Sequence, residues 1–123
     1  MGNVSYDASL DFGSAALASD AKLPNILDLG ETSADRMTVD LFARDLAGGT
    51  ALAVTVQGTD DTSGTPVWTD VGKNTFTTAA LSAAGGRVAI SPNPYRYLQV
   101  ILTKSGTFTA GTVKGQLNTY VGK

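Results

Sequence analysis

Cysteine and histidine are both absent from the 123 residues of this chain. Without cysteine the protein has neither disulfide bonds nor a thiolate nucleophile, and redox conditions do not restrict where it folds. Without histidine a Ser-His-Asp triad is excluded, and the lack of both residues excludes zinc sites built from the usual ligands. We therefore expect that the protein is not an enzyme and that it binds no metal or other cofactor.

Charge is also scarce, because charged residues make up 16 % of the chain against about 25 % in an average globular protein. Nine Lys and Arg residues are scattered among eleven Asp and Glu residues, and the net charge is −2. Such a chain has no basic field that would attract phosphate, so nucleic acid is not an expected partner. No apolar run of about 18 residues and no signal-peptide pattern is present, so we expect a soluble protein without membrane contact.

What the sequence does contain is a succession of short alternating segments, separated by turns rich in Gly, Pro, Asp and Ser. Alternation of apolar and polar residues is typical of strands with one buried face, and no convincing amphipathic helix interrupts the series. The pattern predicts an all-β fold, an antiparallel two-sheet sandwich. A jelly roll is the preferred topology, and an immunoglobulin-like sandwich is the alternative.

Two of these segments show the alternation clearly. In residues 36–44 the alternation directs Met37, Val39, Leu41 and Ala43 to one face and Arg36, Thr38, Asp40 and Arg44 to the other. In residues 112–121 it directs Val113, Leu117 and Val121 inward and Lys114, Gln116 and Asn118 outward. Phe42 is an exception, since it falls on the otherwise polar face of its segment and suggests a surface that a partner or a second subunit covers.

Residues 1–24 are predicted to form an N-terminal arm or edge strand, and residues 25–123 a single β-sandwich domain. In the first segment Tyr6, Leu10 and Phe12 alternate with polar residues. Large apolar residues near a chain end either pair with the sandwich as an edge strand or lie against another protein. We take Tyr6, Leu10 and Phe12, together with Phe42, as the candidate interface residues.

The loop at residues 58–66 holds the adjacent acidic residues Asp60 and Asp61. A carboxylate pair for hydrolysis and a weak calcium site are both conceivable, but adjacent residues on an extended chain point in opposite directions, and the spaced calcium-loop pattern is missing. Loop Asp residues commonly accept hydrogen bonds from the backbone of a turn. We therefore predict a turn-forming role for both residues.

Two aromatic features of the sequence each allow a structural and a functional interpretation. Trp68, the only tryptophan, could stack on a sugar, but a single large aromatic between Val67 and Val71 predicts a core anchor. Arg96 lies between Tyr95 and Tyr97 and could stack on a ring. A solvated or salt-bridged Arg96 is the preferred interpretation.

Three sequence elements occur together and in order, namely VTVQGTDDTSGTPVWTDVG at residues 54–72, RVAI at residues 87–90 and PYRYLQVILTKSGTFTAGTVKGQL at residues 94–117. In this combination the chain resembles the jelly-roll cement (decoration) proteins of tailed bacteriophages, in particular those of the Bordetella-phage type. The similarity covers about residues 36–117, and residues 1–35 carry no matching motif.

The resemblance implies a structural virion protein, made in the cytoplasm of the bacterial host, that attaches to the outer surface of the mature head. It would bridge neighbouring major capsid subunits against internal DNA pressure. Symmetric homo-oligomers, dimers or trimers, would engage several capsid sites at once and bind through avidity. A carbohydrate-binding β-sandwich module is the alternative function, and a carboxylate-dependent hydrolase is a more distant one.

Overall fold

The computed structural model describes residues 3–5, 11–29, 36–90 and 95–121, with side chains at residues 11–29, 37–90 and 95–118. Two of the candidate interface residues, Tyr6 and Leu10, lie outside these ranges. Within them the chain forms nine β-strands and one short helix. Their bounds are β1 Asn3–Ser5, β2 Asp11–Ala16, β3 Leu27–Asp28, β4 Arg36–Gly48, β5 Ala51–Thr59, β6 Thr69–Thr77, α1 Thr78–Ala84, β7 Gly86–Ile90, β8 Tyr97–Ser105 and β9 Phe108–Val121.

The strands form two antiparallel sheets, which confirms the predicted all-β two-sheet sandwich. In the first sheet β1 and β2 both pair with β9, which is followed by β4 and then β7. The second sheet has the order β3-β8-β5-β6. The two inner faces meet in one core.

The strand order is that of a jelly roll. The chain can be followed as one long hairpin whose arms pair as β2 with β9, β3 with β8, β4 with β7 and β5 with β6. Rolling this hairpin brings β4 against β9 and β5 against β8, and these two pairings complete the sheets. The turn from β4 to β5 requires glycine, because Gly48 has φ 76° and a Cβ there would collide with the Thr107 carbonyl oxygen.

The alternation read from the sequence determines which side chains enter the core. Val39 and Leu41 on β4 are buried, as are Val113 and Leu117 on β9. In the second sheet the buried Val54 and Val56 on β5 pair with Leu102 and Val100 on β8. Burial of this continuous apolar face is the main source of stability for such a sandwich.

Residues 11–29 connect the two sheets along one side of the sandwich. β2 pairs with β9 of the first sheet, and the chain then crosses to β8, where Leu23 N donates to Val100 O at 3.1 Å and Leu102 N donates to Ala21 O at 2.8 Å. Phe12 lies in the core with 0 % exposure. The expectation that Phe12 contacts a partner is therefore wrong, because the whole ring is buried against residues of its own chain.

The region around Trp68 also differs from the prediction. The strand β6 begins only at Thr69, so Val67 and Trp68 lie outside it. Trp68 is half-buried in the preceding loop, and Val67 is 81 % exposed. Tyr95 packs against Gly58 and against the core at this end. The prediction of Trp68 as the core anchor is wrong, because Trp68 lies outside the core cluster, against which Tyr95 packs.

The helix α1 lies between β6 and β7, in the small-residue segment for which the sequence indicated no long helix. Thr77 caps it, since its Oγ1 accepts a hydrogen bond from Ala80 N at 3.1 Å. Gly85, with φ 74°, ends it and donates to Leu81 O at 2.9 Å. Leu81 is buried and closes this end of the core. Among the described residues, no helix has the length and apolarity needed to cross a membrane.

Candidate interaction surface

Phe42 stands on the outer face of the first sheet, on its inner strand β4. The neighbouring residues Leu41 and Ala43 point toward the core, so alternation turns Phe42 outward, and 53 % of it is exposed. Ile26 and Val67 are the other large apolar residues that the described part of the chain exposes, and both lie in loops. Phe42 alone among them is held by strands on a rigid sheet.

A groove of about 320 Å³ runs along one side of Phe42. Lys114 on β9 is the direct cross-strand partner of Phe42, and Ser14 on β2 pairs in turn with Lys114. Arg44, two residues along β4, and Thr112 complete the lining. The groove thus combines an aromatic ring, two hydroxyl groups and two cations.

A second groove of about 350 Å³ lies on the other side of Phe42. It exists because β7 begins at Gly86, opposite Leu41, so on this side none of the described strands pairs with Phe42. Arg87 lines this groove together with the end of α1. We call Phe42, Arg44, Arg87 and Lys114, with the hydroxyl groups of Ser14 and Thr112, the Phe42 surface.

Two of the three cations of this surface have carboxylate partners. Arg87 donates from Nε to Asp40 Oδ1 at 2.8 Å and from Nη2 to Asp40 Oδ2 at 3.4 Å. Lys114 Nζ lies 3.6 Å from Asp11 Oδ2. Arg44 is exposed and makes no ion pair within the described ranges, not even with its chain neighbour Asp45. Among the side chains that the structure describes, none therefore neutralises the positive charge of Arg44.

Asp40 and Asn118 were expected to face solvent, but both are buried on the outer face of the sheet. Asn118 Nδ2 donates to Asp40 Oδ2 across the β4–β9 pair, and Arg87 covers the carboxylate from the other side. The prediction of outward, solvated side chains is wrong for these two because the long Arg87 side chain and the amide shield the charge. The cluster fixes Arg87 beside Phe42.

The structure separates the candidate interface residues that it describes. Phe42 lies at the centre of the surface just defined, whereas Phe12 is on the opposite, inner face of the same sheet. Arg44, Arg87 and Lys114 were not singled out from the sequence. Alternation directs Arg44 and Lys114 outward. That these residues are neighbours follows from the pairing of β4 with β9, which are far apart in the chain, and a local sequence pattern does not reveal such a pairing.

In the loop at residues 58–66 the predicted turn-forming role is confirmed for Asp61 but is wrong for Asp60. Asp61 Oδ1 accepts a hydrogen bond from Ser63 Oγ at 2.7 Å and another from Ser63 N at 2.9 Å. The Ser63 hydroxyl, followed by the Ser63 backbone N–H, lowers the pKa of Asp61 below its ordinary value. Asp60 Oδ1 instead accepts from Arg96 N at 3.3 Å, so the two carboxylates are directed to different partners.

Arg96 makes a salt bridge, as predicted, and stacks on a ring as well. Its Nε and Nη2 donate to the two carboxylate oxygens of Asp28 at 2.7 and 2.9 Å. The guanidinium carbon lies 5.1 Å from the centre of the Tyr97 ring. Arg96 therefore links β3 to β8 in the second sheet.

The outer face of the second sheet carries a row of hydrogen-bonded polar side chains, two amides and one carboxylate. Gln99 Nε2 donates to Gln57 Oε1 at 2.9 Å, and Gln57 Nε2 donates to Asp70 Oδ1 at 2.9 Å. The row crosses β8, β5 and β6 at one register position. Trp68, half-buried, immediately precedes β6. Aromatic and amide groups of this kind are able to bind a sugar.

Among the described residues, no group of three or more Asp or Glu side chains is arranged to hold a metal ion. Comparison with models of known protein families gives no match to the chain, and no curated protein matches it. Its function is therefore inferred from the sequence resemblance and from the geometry of its surfaces.

Proposed function

We propose that this protein is a structural component of a phage head. It attaches to the outer surface of the mature shell and stabilises the shell by bridging major capsid subunits. The major capsid protein is its partner, and the virion surface is its location after synthesis in the bacterial host. Attachment of this kind requires surface complementarity rather than a reactive group.

The observation that carries the proposal is the Phe42 surface. An exposed aromatic ring surrounded by Arg and Lys side chains is the composition of a binding hot spot, in which an apolar centre is enclosed by a polar rim. Phe42 is carried by an inner strand of the first sheet, so little backbone conformational entropy is lost when a partner covers the ring.

The sequence resemblance supports the same function. Residues 36–117, which carry the resemblance, include β4 to β8 and most of β9, so they include the inner strands of both sheets. Phe42, Arg44, Arg87 and Lys114 all lie within this range. The jelly-roll strand order is also the order that cement proteins of this type would have.

We propose that the protein acts as a symmetric dimer or trimer. One Phe42 surface is small, because each groove has a volume of only about 320 to 350 Å³. Linked copies raise the effective concentration of the second contact after the first has formed, so that weak individual contacts give strong attachment. A bridging oligomer would also resist separation of neighbouring capsid subunits.

The proposal is tested by co-sedimentation of the purified protein with expanded and with immature shells of the phage that encodes it. We expect saturable binding to expanded shells and little binding to immature shells, whose subunits are arranged differently. Mass spectrometry of purified virions should detect the protein in a fixed ratio to the major capsid protein. Absence of the protein from virions would refute the proposal.

A second candidate function is carbohydrate binding, which is favoured by the position of Trp68 outside the core and beside the sheet that carries Gln57, Asp70 and Gln99. A glycan array probed with the wild-type protein and with Trp68→Ala tests it. Loss of a glycan signal in the folded variant would favour this function. Absence of any signal from the wild-type protein would dismiss it.

A further inference from the structure

We infer that the partner segment bound by the Phe42 surface is acidic and contributes an apolar side chain, and that this segment belongs to the major capsid protein. The inference rests on the proposed function and adds to it the chemistry of the contact. One apolar group of the segment covers Phe42, and at least one carboxylate lies in the groove between Arg44 and Lys114.

The sign of the partner charge follows from the ion pairs of this surface. The chain as a whole is acidic, with a net charge of −2, yet Arg44, Arg87 and Lys114 all surround one exposed ring. Asp40 pairs with Arg87 and Asp11 lies near Lys114, while Arg44 has no carboxylate partner in the described part of the chain. An incoming carboxylate therefore gains a charge-assisted contact with Arg44 without displacing an existing ion pair.

The apolar part of the partner follows from Phe42. Next to the cations of this surface, the exposed half of the ring is best buried against another apolar group, since a purely acidic segment would leave the ring in contact with charge and water. The groove of about 320 Å³ is large enough for a side chain or two, and the hydroxyl groups of Ser14 and Thr112 at its wall can bind a carboxylate or a backbone carbonyl. The surface therefore matches a short mixed segment better than a small charged ligand.

The first part of the test measures binding of variants to expanded shells, with the folded state of each variant checked by thermal unfolding. We expect Phe42→Ala to weaken binding about 30-fold, as for a central hot-spot residue, and Arg44→Glu to weaken it about tenfold. Raising the salt concentration from about 0.05 to about 0.5 M should weaken wild-type binding and reduce the difference between wild type and Arg44→Glu.

Two matched controls have the same chemistry elsewhere on the molecule. Lys73→Glu reverses an exposed charge on β6 in the second sheet, and Val67→Ala shortens the most exposed apolar residue among those described. Both should bind expanded shells within about twofold of the wild-type affinity. Equal weakening by Lys73→Glu and Arg44→Glu would show a non-specific charge effect and overturn the inference.

The second part replaces Phe42, and separately Val67, with a photo-crosslinking phenylalanine derivative that keeps an aromatic side chain at position 42. After irradiation on expanded shells, position 42 should crosslink to a major capsid peptide that contains Asp or Glu next to an apolar residue. A crosslink from position 42 to a second copy of this chain, or to a basic capsid peptide, would overturn the inference. Failure of the wild-type protein to bind shells would refute the proposed function as well, whereas binding unaffected by Phe42→Ala and Arg44→Glu would refute only this inference.

Discussion

The backbone N–H of Asn25 donates to the carbonyl oxygen of Phe12 at 3.0 Å. This bond holds the segment that follows β2 against β2 itself, and Asn25 Nδ2 adds a bond to Asp11 O at 2.9 Å. Phe12 is thereby fixed in the core, with Leu17 and Leu23 buried in the same cluster. Residues 11–24 are consequently part of the sandwich, and residues 11–16 form an edge strand of the first sheet.

Two phenylalanines in different environments give the first prediction. Phe12→Ala creates a cavity in the core and should lower the free energy of unfolding by about 3 to 5 kcal/mol. Phe42→Ala removes an exposed ring and should change it by no more than about 0.5 kcal/mol. Urea unfolding of both variants measures the difference. A similar, small loss in both variants would contradict the placement of Phe12 in the core.

These two residues also show how far the sequence could predict the structure. Alternation is a local property, so it correctly directed Met37, Val39 and Leu41 inward and Phe42 outward. The burial of Phe12 in the core, in contrast, depends on the pairing of β2 with β9, which lie toward opposite ends of the chain. Contacts at such a distance in sequence are set by the packing of the whole sandwich, which a local pattern does not encode.

The ion pair between Arg96 and Asp28 gives the second prediction. Its geometry is bidentate, yet the two side chains are 51 % and 48 % exposed, so water screens much of the attraction. A double-mutant cycle with Arg96→Met and Asp28→Asn should give a coupling energy below about 1 kcal/mol that decreases with added salt. A salt-independent coupling well above that value would contradict the prediction.

The third prediction concerns the pKa of Asp61. Hydrogen bonds from Ser63 favour the ionised form in the folded protein, so the folded pKa lies below the ordinary value of 3.8. The stabilisation is fully present above pH 3.8 and is lost as the pH falls through the folded pKa. Carbon-13 NMR titration should find this low pKa, and Ser63→Ala should raise it toward 3.8. A wild-type pKa of 3.8 or higher would contradict the hydrogen-bonded turn.

Two buried oxygen atoms next to the Asp40 cluster give the fourth prediction. Thr38 Oγ1 and Asn118 Oδ1 have no hydrogen-bond partner among the described residues, although their strands pair at this register position. Thr38→Val removes an unpaired hydroxyl and should leave stability unchanged or raise it by about 1 kcal/mol. Asn118→Ala removes the amide that donates to Asp40 and should lower stability by about 1 to 3 kcal/mol.

Thermal and urea unfolding of both variants provide the comparison. A marked loss of stability in Thr38→Val would contradict the assignment of an unpaired hydroxyl. An Asn118→Ala variant as stable as the wild-type protein would show that Arg87 alone is sufficient to neutralise Asp40.

The Phe42 surface shows which residues of the candidate site could be predicted from the sequence and which could not. Phe42 was conspicuous because a large apolar residue interrupted a polar face. The cations around Phe42 could not be recognised in the sequence. Arg44, Arg87 and Lys114 lie on β4, β7 and β9, and they become neighbours only when these strands pair. Trp68 shows the opposite error, since its residue type suggested a core position, whereas the structure places it in a loop outside the core cluster.

The most direct measurement of the central claim is a cryo-electron microscopy reconstruction of expanded shells saturated with the protein. The account predicts density for a two-sheet jelly roll on the outer surface, located between neighbouring capsid subunits, with Phe42 and the first sheet facing the shell. Shells without such density, or density in which the second sheet faces the shell and Phe42 points to solvent, would contradict it.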